Sequence, residues 1–177
     1  MNKQNEMKKS VMLIIDTLIL AIFLFLEQFT KYLAIVKLKG QKAVVLIDGV
    51  LELQYLENRG SAFGMFQNQK LFLVVVSCLF MAILTFVLFR LPKHKKYCIL
   101  HIALTAIVAG GIGNLIDRLR FDYVVDFISF ILINYPIFNV ADIFVVVGTI
   151  GLFLLFLFYY KEEDLEFLSF KKKKKAE

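Results

Sequence analysis

No tryptophan occurs among the 177 residues, and there are only two cysteines and two histidines. Without tryptophan, any aromatic anchors at a membrane–water boundary must be Tyr or Phe. Cys78 and Cys98 lie in apolar sequence, with neither a C-x-x-C pair nor metal-ligand spacing. They read as small buried hydrophobes, not as a disulfide or a nucleophile. His94 falls between two apolar runs and His101 within one. Neither has an evident partner, so no metal site and no cofactor are expected. No internal repeat is visible.

What the chain has in excess is apolar sequence: 59% of residues are hydrophobic and the mean hydropathy is +0.72. The excess is gathered into long runs, the mark of membrane spans rather than of a large soluble core. The first run, 11–36, is interrupted by Asp16, Glu27 and Lys31. It is too long for a signal-peptide core and no small-residue cleavage site follows, so it reads as an uncleaved helix. The second run, 71–89, carries no charge. As a helix it reaches about 28 Å, one hydrocarbon thickness. The third covers 97–119. The fourth covers 143–160, and Tyr159 and Tyr160 close it as an interfacial belt would. The expected fold is an all-α membrane protein of four transmembrane helices, in one domain over 1–160. Its outward segments are about 37–70 and 120–141, and 161–177 is a charged cytoplasmic tail with a short interfacial helix around 165–170.

The formal net charge is +6. Lys3, Lys8 and Lys9 precede the first run, and Arg90, Lys93, Lys95 and Lys96 separate the second from the third. Lys161 and the lysines at 171–175 follow the fourth. A basic run can mark a nucleic-acid partner. Here each cluster flanks a span, so these are cytoplasmic retention charges that also meet anionic lipid, and no nucleic acid is expected. Both termini are then cytoplasmic. Lys37, Lys39, Lys42, Arg59 and Lys70 count against this, but they are spread over a longer segment. Within it, 43–47 and 50–55 are rich in β-branched and apolar residues and flank Asp48-Gly49. That is a hairpin signal in which both turn positions favour positive φ. A small extracytoplasmic β-element on the outer membrane surface is expected.

Ionisable residues in membrane helices are expensive, about 2.5–3.5 kcal/mol each at a helix centre. Under this topology Glu27 and Lys31, then Asn114, Asp117 and Arg118, then Asp126, and finally Asn139 and Asp142 converge at one depth near the outer face. Asp16 reads as an inner-interface residue and Asp48 as a turn residue. Gly110, Gly111 and Gly113 permit close helix packing beside the polar set. Two carboxylates, Asp126 and Asp142, come from separate elements. Facing each other they cannot both ionise cheaply, so one keeps a proton. The ionised partner can deprotonate a water that attacks a peptide carbonyl, while the protonated partner bonds the oxyanion and assists the leaving amine. This chemistry needs no metal, Ser or Cys. Other readings of the residues are a proton or ion relay, and a structural set in which Asp117 pairs with Arg118 or Lys31 and the rest cap helices.

At these residues the sequence resembles the lipoprotein signal peptidases, or type II signal peptidases, over about 12–160. The blocks are Glu27-Gln28-Phe29-Thr30-Lys31, then Asn58-Arg59-Gly60-Ser61-Ala62-Phe63. A third runs Gly110-Gly111-Ile112-Gly113-Asn114-Leu115-Ile116-Asp117-Arg118 with Val124-Val125-Asp126-Phe127. The fourth is Phe138-Asn139-Val140-Ala141-Asp142. The resemblance implies an aspartic endopeptidase of the bacterial cytoplasmic membrane. It would remove signal peptides from diacylglyceryl-modified prolipoproteins, cutting before the lipidated Cys. Asp126 and Asp142 would be the catalytic dyad. Asn58, Gly60, Ala62, Asn114, Arg118, Asn139 and Ala141 would line or support the substrate site, with Glu27, Lys31 and Asp117 as structural neighbours. It also implies a small β-cradle and a mobile helix over the site. A monomer suffices, and the partners are the lipidated substrate and membrane lipid. Two departures stand out. Glu27 occupies a position usually held by Asp, and Asp122 one usually held by Gly, where Asp can take the left-handed conformation at some cost.

Two rivals predict different things. A proton-coupled carrier would spread ionisable residues along a midplane path and often carries a repeat. A non-catalytic membrane subunit would tolerate neutralisation of either Asp.

Overall fold

The structure, a computed structural model, describes residues 9–61 and 65–168. Ala62 and Gly64, the lysines at positions 3, 8 and 171–175, and the tail beyond 168 lie outside the described residues.

Four helices cross the molecule: α1 (Lys9–Leu38), α2 (Lys70–Arg90), α3 (Cys98–Phe121) and α4 (Val140–Phe158). All four are long and apolar enough to span a bilayer. Their ends lie one to three residues from those of the apolar runs, as expected where helix ends fray into flanking residues. α3 is the axis. More than half of its span is buried, against 17% or less for the others. Lipid is as apolar as Leu, so helices here associate through close backbone approach rather than hydrophobic exclusion. A Cβ at Gly110 would collide with the Ala141 carbonyl, one at Gly111 with Met81, and one at Gly113 with the Glu27 carboxylate. The glycine cluster is therefore what lets α4, α2 and α1 reach α3.

β1 (Val44–Ile47) and β2 (Leu51–Asn58) form the expected hairpin. Of its turn residues only Gly49 takes positive φ, at 68°. The Val50 N–H donates to the Ile47 carbonyl at 3.0 Å, so Asp48 needs no left-handed conformation. The sheet has a third strand beyond the expected hairpin. β3 (Val124–Phe130) pairs antiparallel with β2 in the order β1-β2-β3. Its register sets Asn58 opposite Val124 and Leu56 opposite Asp126. Ala34, Leu38, Val125 and Phe127 make the core that seats the sheet on the end of α1.

Away from the sheet several expectations are corrected. Tyr160 is buried and stacks on Tyr97 at 5.4 Å, donating to the Lys96 carbonyl, so it packs the bundle rather than belting it. A short 3-10 helix, Glu162–Leu168, docks there through Asp164 and Lys96. Cys78 is exposed on the outer side of α2 and Cys98 half-buried, so neither is the fully buried hydrophobe expected; both are free. His101 does have a partner: its Nδ1 lies 2.9 Å from Asp16 Oδ2, and Lys93 Nζ lies 3.8 Å from the same oxygen. Asp16, expected as an inner-interface residue, is buried within α1, and the buried ring opposite supplies the partner a charge there needs. His94 is also engaged, accepting from the Lys96 N–H.

Candidate active site

The sheet and α4 aim the two carboxylates. Asp126 is the third residue of β3, on the strand face opposite Val125 and Phe127, and is 2% exposed. Asp142 is in the first turn of α4, whose N-cap is Asn139. The cap is reciprocal. The Asn139 side chain accepts from the Asp142 N–H at 3.1 Å, and Asp142 Oδ2 accepts from the Asn139 N–H at 3.0 Å. This capping box satisfies two helix-end donors and fixes the Asp142 rotamer.

Amides then join the carboxylates. Asn139 Nδ2 donates to Asp126 Oδ1 at 2.6 Å and to Asn114 Oδ1 at 3.1 Å. Asn114 Nδ2 donates to Asp142 Oδ1 at 2.9 Å. Asn58 Nδ2 donates to Asp126 Oδ2 at 2.8 Å. Asn139 is fully buried, so each of its polar atoms needs these partners. Burial, and after it the Asp142 charge, pushes the Asp126 carboxyl up to about 7, against the opposing pull of the Asn58 and Asn139 donors and of Lys31.

Beneath lies a buried ionic cluster. Lys31 Nζ pairs with Glu27 one turn away, with Asp117 Oδ2 at 2.8 Å, and with Asn114 Oδ1 at 2.9 Å. Asp117 therefore pairs with Lys31 and not with its neighbour Arg118. Its Oδ2 also accepts from the Val125 N–H at 3.0 Å, tying α3 to the start of β3. Gly113 leaves the room that the Glu27 carboxylate fills. Arg118 instead donates to the Asn114 carbonyl and, at 3.0 Å, to the Gly60 carbonyl. Gly60 is required by a close approach: a Cβ there would stand 2.6 Å from the Met65 carbonyl oxygen. Ala141 is fully buried, its carbonyl against Gly110.

Asp126, Asp142, Asn58, Asn114 and Arg118 line one cavity of about 800 Å³. Pro136, Ile137 and Phe138 add an apolar wall before α4, and Val145 and Val146 continue it along α4. Val146 is half exposed.

The chain has relatives of known kind. The family model described as Signal peptidase (SPase) II matches residues 19–158. The chain belongs to the signal peptidase II family. It is similar to the lipoprotein signal peptidase of Caldanaerobacter subterraneus, 45% identical over 79% of this chain and 94% of that one. The lipoprotein signal peptidase of Clostridium tetani is 40% identical over 85% and 96%. A bacterial membrane enzyme solved by the in meso method at 2.3 Å resolution shares the fold, with a TM-score of 0.70 and 24% identity over 98% of both chains. The signal peptidase II family is a family of proteases, and this member is a multi-pass membrane protein.

Some residues of the site were not read from the sequence. Gln28, in the first block, is one of them. Its Nε2 reaches Glu27 Oε2 at 3.0 Å and Asp117 Oδ1 at 3.2 Å. An uncharged amide inside an apolar span is itself the signal that it has a partner. Glu57 and Gln67 also line the cavity, and no sequence signal marks them, because strand register and loop path aim them.

Proposed function

We propose that this signal peptidase II relative is an intramembrane aspartyl endopeptidase, with Asp126 and Asp142 as its catalytic dyad. It removes the signal peptide from diacylglyceryl-modified prolipoproteins by cutting before the lipidated Cys. The observation that carries this reading is the facing of two carboxylates, from β3 and α4, into one cavity through shared asparagines.

With one proton on the pair, the ionised carboxylate takes a proton from water as its oxygen attacks the scissile carbonyl. The protonated carboxyl hydrogen-bonds the oxyanion that forms. The tetrahedral intermediate collapses with a proton delivered to the departing amine, giving a new carboxyl terminus on the signal peptide and a free α-amino group on the lipidated Cys. Asn58, Asn114 and Asn139 hold the dyad. Arg118 and Gly60 shape the adjacent wall, with Ala141 packing behind.

The substrate's acyl chains stay in the bilayer, which favours a site that opens sideways; the apolar wall from Phe138 to Val146 supports such an entry. In this reading 1–160 is one peptidase domain with both termini cytoplasmic, the sheet and dyad lie near the outer face, and a monomer is sufficient. The test is product mass from purified chain in lipid. Release of a peptide ending just before the lipidated Cys, with a Cys→Ser substrate left uncut, is the expected result. Cleavage elsewhere, or of the unlipidated substrate at an equal rate, would refute it.

A further inference from the structure

Asp122 stands where its own backbone is strained. It caps the C-terminus of α3 with φ of 67°, in the left-handed region that a Cβ disfavours. Its carboxylate forms an ion pair with Lys70, the first residue of α2. The Lys70 hydrogen bond and charge, helped by Arg59, hold that carboxyl below its usual range. The next residue, Tyr123, lies under Arg59, whose guanidinium carbon is 5.5 Å from the ring centroid. Residues 59 and 70 are the two ends of the connection from β2 to α2. Two consecutive residues of the α3–β3 link thus grip both ends of it. The neck between those ends is drawn together by the Asn68 N–H donating to the Arg59 carbonyl at 3.2 Å.

The neck continues directly into the site. Asn58, the residue before it, donates to Asp126. The Gly60 N–H donates to Asn58 Oδ1 at 2.9 Å, and the Gly60 carbonyl accepts from Arg118. Arg59, Ser61 and Gln67 line the cavity. An exposed ion pair alone contributes little. This one sits at the point that fixes where the β2–α2 connection meets the dyad.

We propose that Asp122, with Tyr123, is a positioning clasp: it holds Arg59 and Lys70 together so that Asn58, Arg59 and Gln67 face the dyad, and so sets how tightly substrate polypeptide is held. The clasp rests on the aspartyl-peptidase reading for the reaction it tunes, but its geometry can be tested without it. It explains a strained Asp at a helix end where glycine would be unstrained: the side chain supplies an anchor that glycine lacks.

The variants are Asp122→Asn, Lys70→Gln and both together, made in the full chain. Asn tolerates the left-handed conformation, so the backbone is kept while the charge is lost. Hydrogen exchange is followed over 57–61 and 65–73 in detergent, and KM and kcat are measured with a lipidated prolipoprotein. Exchange of the Ser61 and Asn68 amides should quicken, and KM should rise, each about 2–5-fold, the size expected for an exposed pair. The value of kcat should stay within about twofold, and the double variant should match the single ones, because both remove one interaction. Native KM should approach that of the variants at high salt. Asp122→Gly should be at least as heat-stable as native yet show the same raised KM, a combination that a merely stabilising residue would not give. Unchanged exchange in Asp122→Asn, a fall in kcat at constant KM, or additive effects in the double variant would overturn the clasp. Quickened exchange in a chain whose native form cleaves nothing would uphold the clasp and sink the peptidase reading instead.

Discussion

Replacing Asn139 separates two jobs that one side chain performs. Its oxygen caps α4 by accepting from the Asp142 N–H, and its amide nitrogen donates to Asp126 Oδ1 at 2.6 Å. The residue is fully buried, so water cannot replace either bond. Loss of an N-cap costs about 1 kcal/mol. Loss of a hydrogen bond to a charged group costs about 1.5–3 kcal/mol. Asn139→Ala should therefore destabilise the fold by about 2–5 kcal/mol. Asn139→Ser keeps an oxygen that can cap but has no amide donor, so it should be spared the cap's share of that loss. Asn139→Asp keeps the cap and sets a third carboxylate beside Asp126, which should abolish cleavage while folding survives. The assay is thermal unfolding in detergent followed by far-ultraviolet circular dichroism, since no tryptophan is present to report by fluorescence. The expected order of stability is native, then Ser, then Ala. Ser and Ala variants as stable as native would refute the capping box and the bond to Asp126 together.

Cleavage should fall on the alkaline side of a pH profile with a limb near 7, where the pair loses its proton. Asn58→Ala removes a donor that favours ionised Asp126, so the carboxyl should rise further and the limb move to higher pH; a limb that moves down would contradict the assignment. Lys31→Met strands the buried Glu27 and Asp117 carboxylates and should cost about 3–5 kcal/mol, read as a large drop in melting temperature. Gly113→Ala should be destabilised by collision with the Glu27 carboxylate, and Glu27→Asp in the same chain should restore part of the loss. If the double variant melts below Gly113→Ala, Glu27 is not what fills that space.

The spans were legible because an uncharged apolar run long enough to cross a bilayer has few other uses, and α2 shows this most plainly. The polar residues of the site were legible for the complementary reason: Glu27, Lys31, Asn114, Asp117 and Asp142 each need a partner inside or beside a membrane helix. The partner itself was not legible. Asp117 could face Lys31 or Arg118 by spacing alone, and helix rotation chose Lys31. β3 was missed because its strand, VVDFISF, is buried at nearly every position and follows a helix without a glycine turn. The left-handed Asp122 supplies that turn instead. His101 and Asp16 meet across 85 positions, a separation no local pattern can signal.

The central claim is that Asp126 and Asp142 together hydrolyse the peptide bond. It is tested most directly by incubating purified native chain, Asp126→Asn and Asp142→Asn with a diacylglyceryl-modified prolipoprotein in lipid, after circular dichroism has shown all three folded. The account predicts cleavage by the native chain and none by either variant. Cleavage surviving in one folded variant would remove that residue from the chemistry and contradict the dyad.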